Sequence, residues 1–195
     1  MSSVVRLEPV QPKAEAITRA LDRLIATHST GGAFLAALRV GANDAFDWFA
    51  SRNRLVEFDI LPQLLSRDEL RSQLPDVKIP GAATEAGSDA PQACSVTASN
   101  GFRLDDPFLL DGQLAHRLFA GGAYPPESKI TGRAAMQLAA EYCEAVFERR
   151  YEEVSLFTSY EAWTPWFCGV AWDWTSVLFD RANRILWTLV VTDSD

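Results

Sequence analysis

The sequence has little of what enzyme chemistry usually draws on. Its 195 residues include two histidines, three cysteines and two methionines. No G-x-S-x-G, H-E-x-x-H or G-x-G-x-x-G occurs, which removes the usual serine-hydrolase, zinc-protease and dinucleotide fingerprints. Ser29-Thr30-Gly31-Gly32-Ala33-Phe34 is not a phosphate loop, because no Gly-Lys-Ser/Thr follows. Cys94, Cys143 and Cys168 are odd in number and widely spaced, which argues against a disulfide scaffold and for a reducing compartment. The start, M-S-S-V-V-R-L-E-P, lacks the apolar core of a signal peptide. The strongest apolar run, Ile185 to Thr192, is too short to span a bilayer. A cytoplasmic protein with no membrane partner is expected.

Cations are also scarce, with 18 Lys and Arg against 26 Asp and Glu and a net charge of −8. Binding to a phosphate backbone needs neutralising cations, so a nucleic-acid partner is not expected. The acidity is uneven. Residues 151–195 carry Glu152, Glu153, Glu161, Asp173, Asp180, Asp193 and Asp195 against only Arg181 and Arg184. A local acidic surface is what a basic protein partner would seek. Glu152, Glu153, Glu161, Asp180 and Asp193 are therefore the candidate partner-binding residues, read as exposed carboxylates. Asp173, between two tryptophans, reads instead as a buried structural group. The plain alternative is that the acidity only maintains solubility.

What is abundant is apolar and aromatic. Hydrophobic residues make up 48% of the chain, an ordinary globular share. A chain of this length buries roughly 70% of its unfolded surface and needs no staples. Five of the six tryptophans fall between Trp163 and Trp187, in the stretch with the clearest strand–turn–strand pattern. Trp174 to Phe179 and Ile185 to Thr192 are β-branched and aromatic, joined by the polar Asp180-Arg181-Ala182-Asn183-Arg184. Asp180 suits a turn acceptor and Asn183 a left-handed residue. Both faces of Ile185–Thr192 are largely apolar, which marks a central strand covered on both sides. Val154 to Tyr160 is a further strand candidate, Pro165 makes a bend, and Phe167 to Trp172 could begin another strand with Gly169 at a bulge.

In the N-terminal half, Val4, Val5 and Leu7 suit a short edge strand. Pro12 opens a helix whose apolar face is Ile17, Leu21, Leu24 and Ile25. Gly31-Gly32 ends it. His28 reads first as a cap at its C-terminus and second as a catalytic base. Ala33 to Val40 favours a strand. Asp44 caps the segment containing Phe46, Trp48 and Phe49, and Leu55 to Ile60 alternates like a strand. Ser66 and Glu69 form a capping box for a short helix ending near Leu74-Pro75. Residues 80–92 have almost nothing to bury and read as a flexible loop, with a domain boundary as the alternative. Asn100-Gly101 is a hairpin signal. Gln113 to Ala120 is a short helix, with His116 off its apolar side. Thr131 caps the best helix, up to Arg150, with Arg149 and Arg150 in its last turn.

The expected fold is a single α+β domain over residues 1–195. An antiparallel sheet is packed on one face by the Pro12–Thr27 and Thr131–Arg150 helices. Asp105, Asp106 and Asp111 lack the ordered spacing of a calcium loop, so no metal or other cofactor is assigned. Cys143 reads as a packing residue.

The stretch W-F-C-G-V-A-W-D-W-T-S-V-L-F-D, with the ending T-D-S-D, resembles the C-terminal part of small acidic bacterial immunity-type proteins of toxin–immunity pairs. The resemblance covers about the last 35 residues. It implies a non-enzymatic inhibitor that neutralises a toxin by binding it, and it transfers no catalytic residue. Two other readings compete. One is a small hydrolase or transferase built around His116 with Cys143 or with Asp105, Asp106 and Asp111. The other is self-association through an exposed sheet edge.

Overall fold

The computed structural model describes residues 5–77, 101–124 and 128–195. Residues 80–92 and most of the Asn100 hairpin segment, Cys94 included, lie outside that set. One antiparallel six-stranded sheet organises the rest. Its order is β1 (Leu7–Pro9), β2 (Gly32–Val40), β6 (Ile185–Thr192), β5 (Trp174–Asp180), β4 (Val154–Ser159) and β3 (Arg103–Asp105). The last strand in chain order is thus central. It pairs with β2 from Gly32–Thr192 to Arg39–Ile185 and with β5 from Trp174–Val191 to Asp180–Ile185.

The two-residue period of β6 divides the core. Trp187, Leu189 and Val191 face α1 (Glu15–Thr27), α5 (Leu110–Ala120) and α6 (Gly132–Phe147). Leu186 and Val190 face the opposite way, onto a core shared with α2 (Asp44–Ala50), α3 (Ile60–Leu65), α4 (Asp68–Gln73), Trp163 and Phe167. Full burial of one large apolar side chain contributes about 1.5–3 kcal/mol, so a strand apolar on both sides needs both covers. The α+β class and the antiparallel sheet are as read. The helices expected on one face are α1 and α6, joined by α5, and a second set of short helices closes the other.

The structure departs from the sequence expectations where a local signal meets a tertiary demand. The first helix begins at Glu15, not Pro12, with no side-chain cap. Asn43 rather than Asp44 caps α2, accepting the Phe46 N–H at 3.0 Å. The Ser66 capping box does not form. Ser66 donates to the Gln63 carbonyl, and Glu69 pairs with Arg67. Leu55–Ile60 is not a strand. Leu55 and Leu61 are both fully buried, and the Leu61 N–H closes on the Leu55 carbonyl at 2.8 Å, so the residues between them loop outward.

Phe167–Trp172 is not a strand either. The Asp173 carboxylate gathers the N–H groups of Gly169 (2.7 Å) and Val170 (3.1 Å) and the Thr192 hydroxyl, which curls the segment onto the end of β6. Gly169 sits there at φ 71°, a left-handed position that favours glycine. Asp173 is the buried structural group expected. Thr131 caps α6 as read, by accepting the Ala134 N–H at 3.2 Å. That helix ends at Phe147, because Glu148 and Arg149 turn left-handed, and Arg149 and Arg150 lie beyond it. In the β5–β6 turn, Asp180 accepts the Asn183 N–H at 3.0 Å as expected, but Arg184, not Asn183, takes the left-handed conformation.

Candidate functional site

The five acidic candidates do not form one surface. Asp180 is fully buried, where Arg150 grips its carboxylate with two donors at 2.9 and 2.7 Å. Burial pushes its pKa up, but hydrogen bonds from Arg150 and Asn183 outweigh that and hold it below the ordinary range. Asp193 is fully buried too. It accepts the Thr30 N–H at 2.9 Å and the Ala123 N–H at 2.8 Å, bolting two loops to the end of β6. Those bonds again outweigh burial and lower its pKa. The expectation that both are exposed is therefore corrected: each is consumed by internal hydrogen bonds. Glu152, Glu153 and Glu161 are exposed. Glu153 pairs with Arg150, and Glu161 lies past the far end of the six-residue β4, roughly 20 Å of strand away from Glu152.

The catalytic inventory separates similarly. Cys143 is buried in the helical core, where burial, with a lesser effect of Asp111, pushes its thiol up to about 12. A thiol held so high supplies no thiolate near neutrality. His116 is exposed on α5. Asp105 accepts from Gln113 at 2.9 Å and from Thr158 at 3.0 Å, which ties β3 to α5 and β4. No group of three or more potential ligands capable of holding a metal occurs among the described residues.

Two other features stand out. The first is a cleft of about 690 Å³ between α5 and the 160–172 segment. Gln113, His116 and Arg117 reach it from α5, His28 from the end of α1, and Tyr160 and Trp172 from the facing segment. The Arg117 guanidinium lies over the Trp174 ring, 3.9 Å from its centroid, and 5.7 Å from that of Tyr160. Its Nη1 donates to the Gln113 carbonyl at 2.9 Å, and Tyr160, not a carboxylate, is the side chain that pairs with it among the described residues. Burial lowers its pKa against a hydrogen bond to Tyr160. His28 is 2% exposed, with Nδ1 at 2.9 Å from the Leu24 carbonyl. That bond places the proton on Nδ1. Burial lowers the pKa of His28 and favours the neutral ring. Gln113 Oε1 is buried and has no hydrogen-bond donor among the described residues.

The second is an aromatic projection on the opposite side of the sheet. Phe58 is 74% exposed and Trp48 is 44% exposed. Rings run edge to face from Phe58 to Phe49 (5.5 Å) and from Phe49 to Trp48 (4.8 Å). Arg52 and Arg54 lie over Trp48 at 4.4 and 5.1 Å. Phe58 and Asp59 both adopt left-handed backbone, φ 52° and 57°. For a bulky residue that conformation is a strained outlier. The buried Leu55 and Leu61 on either side, closed by their backbone hydrogen bond, hold the loop in it.

Arg117 and Phe58 were not singled out by sequence reasoning. A faint signal exists for Arg117, the one cation in Q-L-A-H-R-L-F-A, one helical turn from Gln113. None exists for Phe58, whose neighbours mimic strand alternation. Searched against family models, curated proteins and solved structures, the chain matches none. Among the described residues no helix is long and apolar enough to cross a membrane.

Proposed function

We propose that the protein is a non-enzymatic, cytoplasmic protein-binding module that docks on a basic partner through the Trp48–Phe58 projection. The observation that carries this reading is Phe58, an apolar ring held in water on strained backbone. Strain of this kind persists only where surrounding structure over-determines it, and it clusters at functional positions. Interface hot spots are rich in aromatics and arginine, as this patch is. Within residues 44–59, Glu57 pairs with Arg54 and Asp47 with Arg184, which leaves Asp44 and Asp59 against Arg52, a small acidic excess that a basic rim around an apolar socket complements. The C-terminal resemblance to immunity-type proteins makes a toxin domain the partner class, neutralised by being covered. Glu152, Glu153 and Glu161 remain as steering charges, whose reach is about 8 Å at physiological salt.

The competing enzyme reading is weakened by the cleft around His116. Its described lining includes no carboxylate and no serine, threonine or cysteine, so the histidines there have neither an orienting acid nor a side-chain hydroxyl other than that of Tyr160.

The test begins with capture of partners from the source cells by the wild-type chain and by Phe58→Ser. The association rate is then measured with the purified partner. The wild type should retain one stoichiometric basic protein, and Phe58→Ser should weaken its binding at least about tenfold, the usual size of a hot-spot loss. Lysine at Glu152 and Glu161 should slow association more at low salt than at high salt. Equal binding by Phe58→Ser, or no partner for the wild type, would overturn the proposal.

A further inference from the structure

We propose that the cleft between α5 and the 160–172 segment binds a small organic monoanion: a carboxylate with a flat apolar body and a hydroxyl or amine donor. This site is separate from the docking projection, which lies across the sheet. The volume of about 690 Å³ is that of a small-molecule pocket.

Three groups define the ligand. Arg117 supplies charge. Stacking over Trp174 occupies the face of its guanidinium, so its in-plane N–H groups serve acceptors, and the fork matches a carboxylate. It is the one charged side chain among the described residues that line the cleft, which suits a single negative charge rather than a phosphate dianion. His28 adds an acceptor and no charge: Nδ1 is spent on the Leu24 carbonyl, and Nε2 makes no hydrogen bond among the described residues. Gln113 adds a second acceptor. Its Nε2 is committed to Asp105 at 2.9 Å, which fixes the amide so that Oε1, which has no donor among the described residues, is the atom left to accept. An unsatisfied buried acceptor is expensive, and a ligand hydroxyl or amine relieves it. The walls between these groups are apolar, with Phe108, Leu109 and Trp172 suited to a flat body.

Binding of 3-phenyllactate, followed by calorimetry and by the indole N–H signals of Trp172 and Trp174, tests the assignment. Saturable binding with movement of those signals is expected. 3-Phenylpropionate, lacking the hydroxyl, should bind about tenfold more weakly, the size of one hydrogen bond lost to a buried acceptor. Arg117→Met should abolish binding. Where that variant does not fold, Gln113→Leu decides: it should erase the preference for the hydroxyl acid. Several results would overturn the proposal. They are no saturable binding at millimolar concentration, a folded Arg117→Met that still binds, a hydroxyl preference surviving in Gln113→Leu, or inorganic phosphate binding as well as phenyllactate.

Discussion

The two faces of the sheet are held by different means. On the first, α1, α5 and α6 run 13, 11 and 16 residues and lay apolar stripes against Trp187, Leu189 and Leu178. On the second, α2, α3 and α4 have 7, 6 and 6 residues, too short to be stable by themselves. Directed polar contacts pin that layer in place. The Gln73 side-chain amide bonds both the N–H and the carbonyl of Ala37 at 3.0 Å, where the short β1 has run out. The buried Trp163 donates to Thr175 at 2.7 Å, whereas among the described residues Trp187 and Trp174 have no partner for their indole N–H. Long helices can rely on area. Short ones need specific bonds, and the strained turn that presents Phe58 is closed by one such bond, from the Leu61 N–H to the Leu55 carbonyl.

The contrast can be broken by substitution. Trp187→Ala, on the area-held face, should destabilise by about 3–5 kcal/mol through lost burial and a residual cavity. A change below about 1 kcal/mol in a denaturant midpoint would show that the face does not depend on this packing. Asp180→Ala should destabilise by about 3 kcal/mol, because it leaves Arg150 with only the exposed Glu153 as a close acceptor and takes the acceptor from the Asn183 N–H. The same pair sets a pH dependence. The folded-state pKa of Asp180 is lowered, so its stabilisation is fully present above the unfolded value near 3.8 and is lost as pH falls through the folded value. Asp180→Asn should flatten the acid limb of the stability–pH curve, and an unchanged limb would refute the assignment.

On the bond-held face, Gln73→Ala should destabilise by about 1–3 kcal/mol by leaving the Ala37 N–H unpaired. Gln73→Leu, which restores apolar volume, should not recover the loss; recovery would mean that area, not bonding, holds this face too. The smallest effect is of opposite sign. Phe58→Gly should relieve left-handed strain and stabilise by up to about 1 kcal/mol while impairing partner binding. Thermal unfolding of the variant checks this directly.

The same contrast explains what could be read from the chain alone. The β5–β6 hairpin, the central position of β6 and the α6 stripe follow from periods that recur over several turns or strand residues. The second layer has no such period. Leu55 and Leu61 point inward from either side of a loop, so alternation at Val56 and Phe58 imitates a strand where the backbone turns. The burial of Asp180 and Asp193 is hidden from the sequence for a related reason. Composition counts carboxylates but not their partners, and Arg150 and Thr30, which take Asp180 and Asp193 out of solvent, are 30 and 163 residues away in the chain. The Arg117 cleft joins α1, α5 and the 160–172 segment, a convergence that exists only after folding.

The central place of β6 also has a consequence during synthesis. Until Ile185–Thr192 has emerged from the ribosome, β2 and β5 have no strand between them, and each carries an open row of backbone donors and acceptors. The N-terminal elements wait with their apolar faces unmatched while the residues between Val40 and Thr192 are made, which at about 5–20 residues per second means on the order of ten seconds or more. Nascent chains in that interval are ready to pair edge to edge with one another. Dense polysome packing, or a pause in translation before Ile185, should therefore harm the yield of folded protein more than any defect in the finished molecule would indicate.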